Sequence, residues 1–162
     1  DLDCLVSNAG FGKFGTLETF SIKEIKDFIF TNLTSHMILT NKILPHLKKI
    51  RKGNIIFIGS ESALKGGKNG SLYSAAKFGL RGFSQSIREE SCSKNIHVSL
   101  INPGMVRTSF FNNLDFMPGE DKSNAIEPDD IGKIIIDILS TRHGSVIEEI
   151  NLSPLKKVIK FL

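Results

Sequence analysis

The chain has 162 residues, of which 40% are hydrophobic, so it is long enough to bury the core of one ordinary domain. Its formal net charge is +4, but the lysines and arginines are dispersed along the sequence. The densest basic stretch, residues 46–52, falls where a helix is predicted to end, and cations there complement the helix dipole. No aromatic stacking platform accompanies these charges, so we expect no nucleic-acid partner.

The apolar segments and the cysteines exclude two further classes. No apolar run approaches the roughly 18 residues that span a bilayer, and no signal peptide is visible, so we expect a cytoplasmic protein with no membrane partner. Cys4 and Cys92 have no Cys-x-x-Cys partner and no neighbouring histidine pair. They are predicted to be reduced thiols, and no metal site is expected.

Apolar runs alternate with helical patterns along the chain. Strands are predicted at residues 4–6, 54–59, 98–101 and 146–151. Helices are predicted at residues 21–49, 72–93 and 128–139, and Pro45 permits a kink or a loop in the first of them. The run 54–59 is continuously apolar rather than alternating, which is typical of a parallel strand buried on both faces. Strands that alternate with helices predict an α/β fold with a mostly parallel sheet.

The only tyrosine, Tyr73, precedes Lys77 by four residues and follows Ser60 by thirteen. On a helix, residues four apart share a face, so the Lys77 ammonium is expected to approach the Tyr73 phenol and lower its pKa. Ser60 closes the strand 54–59, where its hydroxyl would meet a substrate oxygen from beside the phenol. The three residues together predict polarisation and protonation of a carbonyl. A Tyr and a Lys at this spacing also arise by chance.

The neighbouring segments resemble the classical short-chain dehydrogenase/reductase family, from about residue 1 to about residue 154. Residues 7–10, Ser-Asn-Ala-Gly, are similar to the family's Asn-Asn-Ala-Gly signature, with a serine in the first position. Asn32 lies where the family keeps its fourth catalytic residue. Residues 102–108, Asn-Pro-Gly-Met-Val-Arg-Thr, resemble the family's Pro-Gly-x-x-x-Thr segment. With the serine, tyrosine and lysine described above, these signatures follow the family's order and spacing.

The resemblance implies a Rossmann-type doubly wound fold, a mostly parallel sheet with helices on both faces, of which this chain carries strands four to seven. It implies hydride transfer between a nicotinamide cofactor, NAD or NADP, and a small-molecule carbonyl or alcohol substrate. Tyr73 would exchange the proton, Ser60 would stabilise the substrate oxygen, and Lys77 would also hold the ribose hydroxyls. Asn32 would position a water that links Lys77 to solvent. Besides Tyr73 and Lys77, the residues implied to contact the cofactor are Asn8, Ala9, Gly10, Pro103, Gly104, Val106 and Thr108. Assembly as a homodimer or homotetramer is also implied.

The family's cofactor turn, Thr-Gly-x-x-x-Gly-x-Gly, has no counterpart in this sequence, and neither does the residue that selects NAD or NADP. The glycine clusters at residues 10–15 and 66–70 lack the strand, glycines and helix that phosphate binding requires, and are predicted to be loops. In the family's strand order, loss of the first half exposes residues 2–6 along a sheet edge. We therefore expect residues 1–162 to form a single partial Rossmann domain, either as part of a longer polypeptide or with that edge covered by something else.

Residues 108–119 follow the nicotinamide segment, where the family carries a mobile loop that covers the substrate. Phe110 and Phe111 in this stretch, together with Leu64 and Phe11, are candidates for an apolar pocket wall. The near-helical spacing of the apolar residues equally predicts an ordinary packed short helix. Short stretches resemble both the ketoacyl-thioester reductases and the broad-specificity alcohol or hydroxy-acid dehydrogenases of the family, and we favour the second group.

Two other functions stay open at this point. The first is an inactive or assembly-only fragment that cannot bind cofactor, because the Gly-rich turn is missing. The second is the chemistry of the extended subgroup, since epimerases and dehydratases also use Tyr-x-x-x-Lys. Those enzymes need a larger C-terminal substrate domain than the eighty-five residues that follow Lys77, which favours the classical reductase form.

Overall fold

The computed structural model describes residues 2–162, so the first residue of the predicted domain, Asp1, lies outside the described part. The strands are β1 (Cys4–Ser7), β2 (Gly53–Ile58), β3 (Ile96–Pro103), β4 (Phe116–Pro118), β5 (Glu149–Leu152) and β6 (Ile159–Phe161). The helices are α1 (Ile22–Ile29), α2 (Ser35–Ile50), α3 (Ser71–Ser91) and α4 (Pro128–Ser140). A five-residue π-helical turn, Phe30–Thr34, joins α1 to α2.

Four strands form one parallel sheet in the order β1-β2-β3-β5. Cys4 lies opposite Asn54, Asn54 lies opposite His97, and Leu100 lies opposite Glu149. Each parallel connection runs through a helical segment, as a parallel sheet requires. The predicted mostly parallel α/β architecture is confirmed.

The central strand β2 is buried on both faces of the sheet. Ile55 and Phe57 point into a core formed with α2 and α3, whereas Ile56 points into a second core with Ile101 and with Ile138 of α4. All three β2 side chains are fully buried. A strand covered on both faces needs apolar residues without alternation, which is the pattern that the sequence shows at 54–59.

Three details differ from the predicted elements. The strand predicted at residues 146–151 corresponds to β5, which begins at Glu149 rather than Val146. The first hydrogen bond of its ladder joins the Leu100 N–H to the Glu148 carbonyl. No loop interrupts α2 at Pro45. The predicted helix 21–49 is instead divided at the π-helical turn before Ser35. A further antiparallel pair, β4 with β6, connects the loop after β3 to the C-terminal segment.

Candidate active site

The predicted site segments meet at one edge of the sheet, beyond the carboxyl ends of three parallel strands. Residues 8–10 follow β1, Ser60 follows β2 by two residues, and Gly104 directly follows β3. Open α/β sheets bind ligands in the crevice outside these strand ends. The parallel register therefore brings together residues that lie far apart in the sequence.

Ser60 and Tyr73 form the centre of this region. Both residues are buried, and the Ser60 hydroxyl acts on the pKa of the Tyr73 phenol. The Ser60 hydroxyl oxygen also accepts a bond from the Ser62 N–H at 3.1 Å, which fixes its rotamer at the start of the turn Glu61–Ala63. Burial raises the pKa of the Tyr73 phenol, the Ser60 hydroxyl opposes that change, and the Glu61 carboxylate adds to it. The phenol is thus protonated at neutral pH.

Lys77 lies one helical turn after Tyr73 and is only 5% exposed. Its Nζ donates to the Ile58 carbonyl at 3.1 Å and lies 5.7 Å from the centroid of the Tyr73 ring. Burial lowers the pKa of Lys77 from 10.5 to about 8. Burial dominates and raises the pKa of Tyr73, and the lowering effect expected of Lys77 stays a prediction.

Asn32 is fully buried in the π-helical turn. Its Nδ2 donates to the Phe28 carbonyl at 3.1 Å, and its Oδ1 accepts the Phe11 N–H at 3.2 Å. A Cβ atom on Gly10 would lie 2.8 Å from Asn32 Oδ1 and 3.9 Å from Lys77 Nζ, so glycine permits the close approach. The structure therefore brings Asn32, Gly10 and Lys77 together.

The other residues implied to contact the cofactor lie on two loops. Asn8 and Ala9 are exposed after β1. Pro103 is buried at the end of β3, and the Gly104 N–H donates to the Leu152 carbonyl at 2.8 Å. The next two lie further along the same segment: Val106 is half-buried and forms a bridge with Ile126, and Thr108 is exposed at the start of the turn Ser109–Phe111.

Aromatic rings surround Tyr73. The centroids of Phe14, Phe110 and Phe28 lie 5.2, 6.0 and 6.3 Å from that of Tyr73. Phe111 is buried and packs on Phe110, with ring centroids 5.2 Å apart.

Leu64 and Phe11, the other two residues predicted to line an apolar pocket, are not among the side chains that pack directly on Tyr73. Leu64 is 39% exposed at the end of the turn Glu61–Ala63, and it does not belong to the cluster of apolar side chains around Tyr73. Phe11 is exposed and reaches this cluster through Phe28, with ring centroids 5.1 Å apart. The stretch after Thr108 forms the short 3-10 turn Ser109–Phe111. The near-helical spacing of its apolar residues therefore corresponds to a packed turn beside the Tyr73 phenol.

Sequence reasoning missed three residues beside the site. Glu61 acts on the pKa of Tyr73, and its position directly after Ser60 was the available signal. Asn102 is buried, and its Oδ1 accepts the Ser60 N–H at 3.3 Å. His36 lies one turn after Asn32 and contacts Ser7 and Ala9, and no periodic or motif signal identifies it.

Comparison with known proteins identifies the family. The family model described as short chain dehydrogenase matches residues 1–118. Sepiapterin reductase of Chlorobaculum tepidum is 31% identical over 94% of this chain and 62% of its own length. The 3-oxoacyl-[acyl-carrier-protein] reductase of Escherichia coli is 32% identical over 93% of this chain and 57% of its own length. The chain thus spans about six-tenths of the length of these relatives. It belongs to the short-chain dehydrogenase family.

Solved structures show the same fold. An alcohol dehydrogenase from the archaeon Thermococcus sibiricus, complexed with 5-hydroxy-NADP, superposes with a TM-score of 0.85 at 25% identity, over 98% of this chain and 66% of the other. A metagenomic short-chain oxidoreductase in complex with NADP superposes with a TM-score of 0.78 at 31% identity, over 96% and 62% of the two chains. The Rossmann-type character of the sheet is thereby confirmed. Among the helices described in residues 2–162, none has the length and apolarity needed to cross a bilayer.

Proposed function

We propose that residues 1–162 form the catalytic portion of an NAD(P)-dependent oxidoreductase that reduces a carbonyl compound, with Tyr73 as the proton donor. The observation that carries this proposal is the buried Tyr73 phenol, whose pKa the Ser60 hydroxyl lowers and which the Lys77 ammonium flanks on the same helix. Membership of the short-chain dehydrogenase family supports the reaction class.

The protonation state of Tyr73 suits it to the reductive direction of the reaction. Its raised pKa keeps the phenol protonated at neutral pH, so it is ready to donate to a carbonyl oxygen as that oxygen gains negative charge. Ser60 would donate a second hydrogen bond to the same oxygen and stabilise the developing charge. The Ser60 hydroxyl is suited to this role because its oxygen is held by the Ser62 N–H at 3.1 Å.

The hydrogen-bond donors of the Lys77 ammonium fit a nicotinamide cofactor. An ammonium carries three N–H donors, and in the described part of the chain Nζ makes its hydrogen bond to the Ile58 carbonyl. The other donors are suited to the ribose hydroxyls, the role that family membership implies. Asn8, Ala9 and Gly10 on one loop, and Pro103, Gly104, Val106 and Thr108 on the other, would border the cofactor. When bound, the nicotinamide cofactor would supply the hydride. Solved relatives that carry NADP or 5-hydroxy-NADP support this assignment.

The aromatic wall indicates an apolar carbonyl substrate. Phe14 and Phe110 are half-buried and lie nearest the Tyr73 ring, so an apolar group attached to the carbonyl would pack against them. Leu64 and Phe111 are assigned weaker roles, as a rim residue and as support for Phe110. A cytoplasmic location and a homodimeric or homotetrameric assembly are further parts of this proposal, and family resemblance supports them.

The test is a fluorescence titration of the native-length polypeptide with NADH and with NADPH, followed by turnover measurements on Tyr73→Phe. Loss of the phenolic proton should reduce turnover by about 10²–10⁴-fold, the usual contribution of a general acid. The dissociation constant for the cofactor should stay within about twofold, because the ring is retained. Comparable turnover in Tyr73→Phe would exclude the proton-donor role.

Two serine variants provide a matched pair. Ser60→Ala should lower turnover, because it removes the hydroxyl that would bind the substrate oxygen. Ser62→Ala keeps the backbone N–H that holds Ser60 Oγ, so its turnover should stay near that of the parent protein. If the native-length polypeptide binds neither NADH nor NADPH, the oxidoreductase assignment fails and the inactive or assembly-only function takes its place.

A further inference from the structure

We propose that His36 is a positioning residue for the cofactor loop: its neutral imidazole, with the proton on Nε2, holds residues 7–11 in the conformation that presents Asn8 to Gly10. This inference rests on the proposed function, because the loop is assigned there to the cofactor. Residues 7–11 are called the 7–11 loop below.

The tautomer follows from the two partners of the imidazole. Nε2 lies 2.8 Å from the Ala9 carbonyl oxygen, which only accepts, so Nε2 carries the proton. Nδ1 lies 2.6 Å from Ser7 Oγ and, in the neutral ring, is left as an acceptor for the serine hydroxyl proton. One side chain of α2 therefore contacts both the last residue of β1 and the middle of the loop that follows.

The surroundings keep this imidazole neutral. His36 is 1% exposed and Ser7 is 4% exposed, so both polar groups depend on each other for hydrogen bonding. Burial is the main cause that lowers the pKa of His36. The positive charge of Lys77 lowers this pKa further, and the Ala9 carbonyl opposes both effects. The neutral ring therefore persists at physiological pH.

The 7–11 loop is held at three points by one face of the neighbouring helical segment. His36 binds Ser7 and Ala9, and Asn32, one turn earlier, accepts the Phe11 N–H at 3.2 Å. These anchors flank Gly10, which approaches Asn32 without a Cβ in the way. A loop fixed on both sides of its glycine presents its exposed backbone in one conformation, which lowers the entropy cost of binding a ligand there.

The imidazole of His36 reaches the short side chain of Ser7. Where Ser7 stands, the family signature has the longer side chain of asparagine. Ser7 Oγ ends close to the backbone, and the imidazole of His36 extends from α2 to meet it at 2.6 Å. The fully buried Phe57 ring, whose centroid lies 6.5 Å from that of His36, restricts the imidazole on one side.

The experiment compares two histidine variants in the native-length polypeptide. His46 lies on the same helix and also contacts a backbone carbonyl through Nε2, that of Leu2 at 3.1 Å, but it is exposed and away from the loop. His36→Phe should weaken NADH or NADPH binding by about tenfold or more, with turnover at saturating cofactor changed less than about threefold. His46→Phe should leave both quantities unchanged.

Two measurements test loop positioning without relying on cofactor. Nitrogen-15 NMR at pH 7 should show His36 as a neutral ring protonated at Nε2, and Ser7→Ala should shift the Nδ1 resonance. Amide exchange at Phe11, whose N–H is held by Asn32, should accelerate in His36→Phe and not in His46→Phe. If His36→Phe does not fold, Ser7→Ala provides the same exchange comparison, with a smaller effect expected.

The outcomes separate this inference from the proposed function. An imidazolium at pH 7, or a proton on Nδ1 rather than Nε2, overturns it. An unchanged Phe11 exchange rate in a folded His36→Phe variant also overturns it, as does unchanged cofactor affinity in that variant. If the parent protein binds no nicotinamide cofactor, the proposed function fails, and the NMR and exchange measurements still decide whether His36 positions the loop.

Discussion

Replacing Lys77 with methionine should make the protein more stable and inactive at the same time. Burial lowers the pKa of Lys77 from 10.5 to about 8, and at 1.36 kcal/mol per pKa unit the charged form costs about 3 kcal/mol of folding free energy. Methionine removes this cost but leaves the Ile58 carbonyl without its 3.1 Å partner, a loss of about 1–3 kcal/mol. We expect Lys77→Met to raise the free energy of unfolding at pH 7 by up to about 2 kcal/mol.

The pH dependence of the free energy of unfolding gives a sharper test than its value at pH 7 alone. Below pH 8 the Lys77 side chain is charged in both the folded and the unfolded state, so the whole burial cost is present. Between pH 8 and pH 10.5 the folded protein loses the proton first, and the stability of the parent protein rises relative to the variant. The advantage of Lys77→Met should therefore shrink above pH 8 and vanish or reverse by about pH 10.

Urea unfolding of the native-length polypeptide at pH 7, 8, 9 and 10 measures this difference directly. Lys42→Met, at an exposed position on α2, is the control and should show no such pH-dependent gap. Turnover should fall by at least about 100-fold in Lys77→Met, because the ammonium beside the phenol, which we propose also binds the cofactor ribose, is lost. Parallel stability curves for the parent and Lys77→Met across this pH range would refute the electrostatic reasoning.

Two further substitutions test contacts of the site. The Glu61 carboxylate raises the pKa of Tyr73, so Glu61→Gln should move the basic limb of the pH–rate profile to lower pH, with turnover at pH 7 nearly unchanged; a profile that does not move would exclude this coupling. A Cβ on Gly59 would lie 2.2 Å from Asn102 Oδ1, so Gly59→Ala should cost about 1–3 kcal/mol in urea unfolding. At Gly66 a Cβ meets nothing within 4 Å, so equal effects of Gly66→Ala and Gly59→Ala would contradict the steric explanation.

The sheet was predictable because its central strand β2 has no exposed face. Ile55, Ile56 and Phe57 are consecutive and fully buried, and a continuous apolar run of this length is the expected pattern of a central parallel strand. The β4–β6 pair was not predictable. Both strands have three residues, and Phe116 pairs with Phe161 across a long sequence separation that leaves no local pattern.

The site was predictable in its residue types but not in its electrostatics. Spacing indicated that Tyr73 and Lys77 share a helix face, and the structure places them so. The burial of Asn32 was not visible, because periodicity at 3.6 residues per turn does not anticipate a π-helical turn. The direction of the pKa change at Tyr73 depends on burial by rings from distant segments, which a local motif does not encode.

Lys77 also connects Tyr73, the proposed proton donor, to the 7–11 loop. Its positive charge is one of the causes that lower the pKa of His36, and a neutral His36 is what leaves Nδ1 free to accept from Ser7. Lys77→Met should therefore raise the pKa of His36, an effect that NMR can follow in the same variant used for unfolding. The protein holds a buried charge that a methionine would replace with a gain in stability. If Lys77 lowers stability in this way, its proposed task at the site explains its presence better than the packing of the core does.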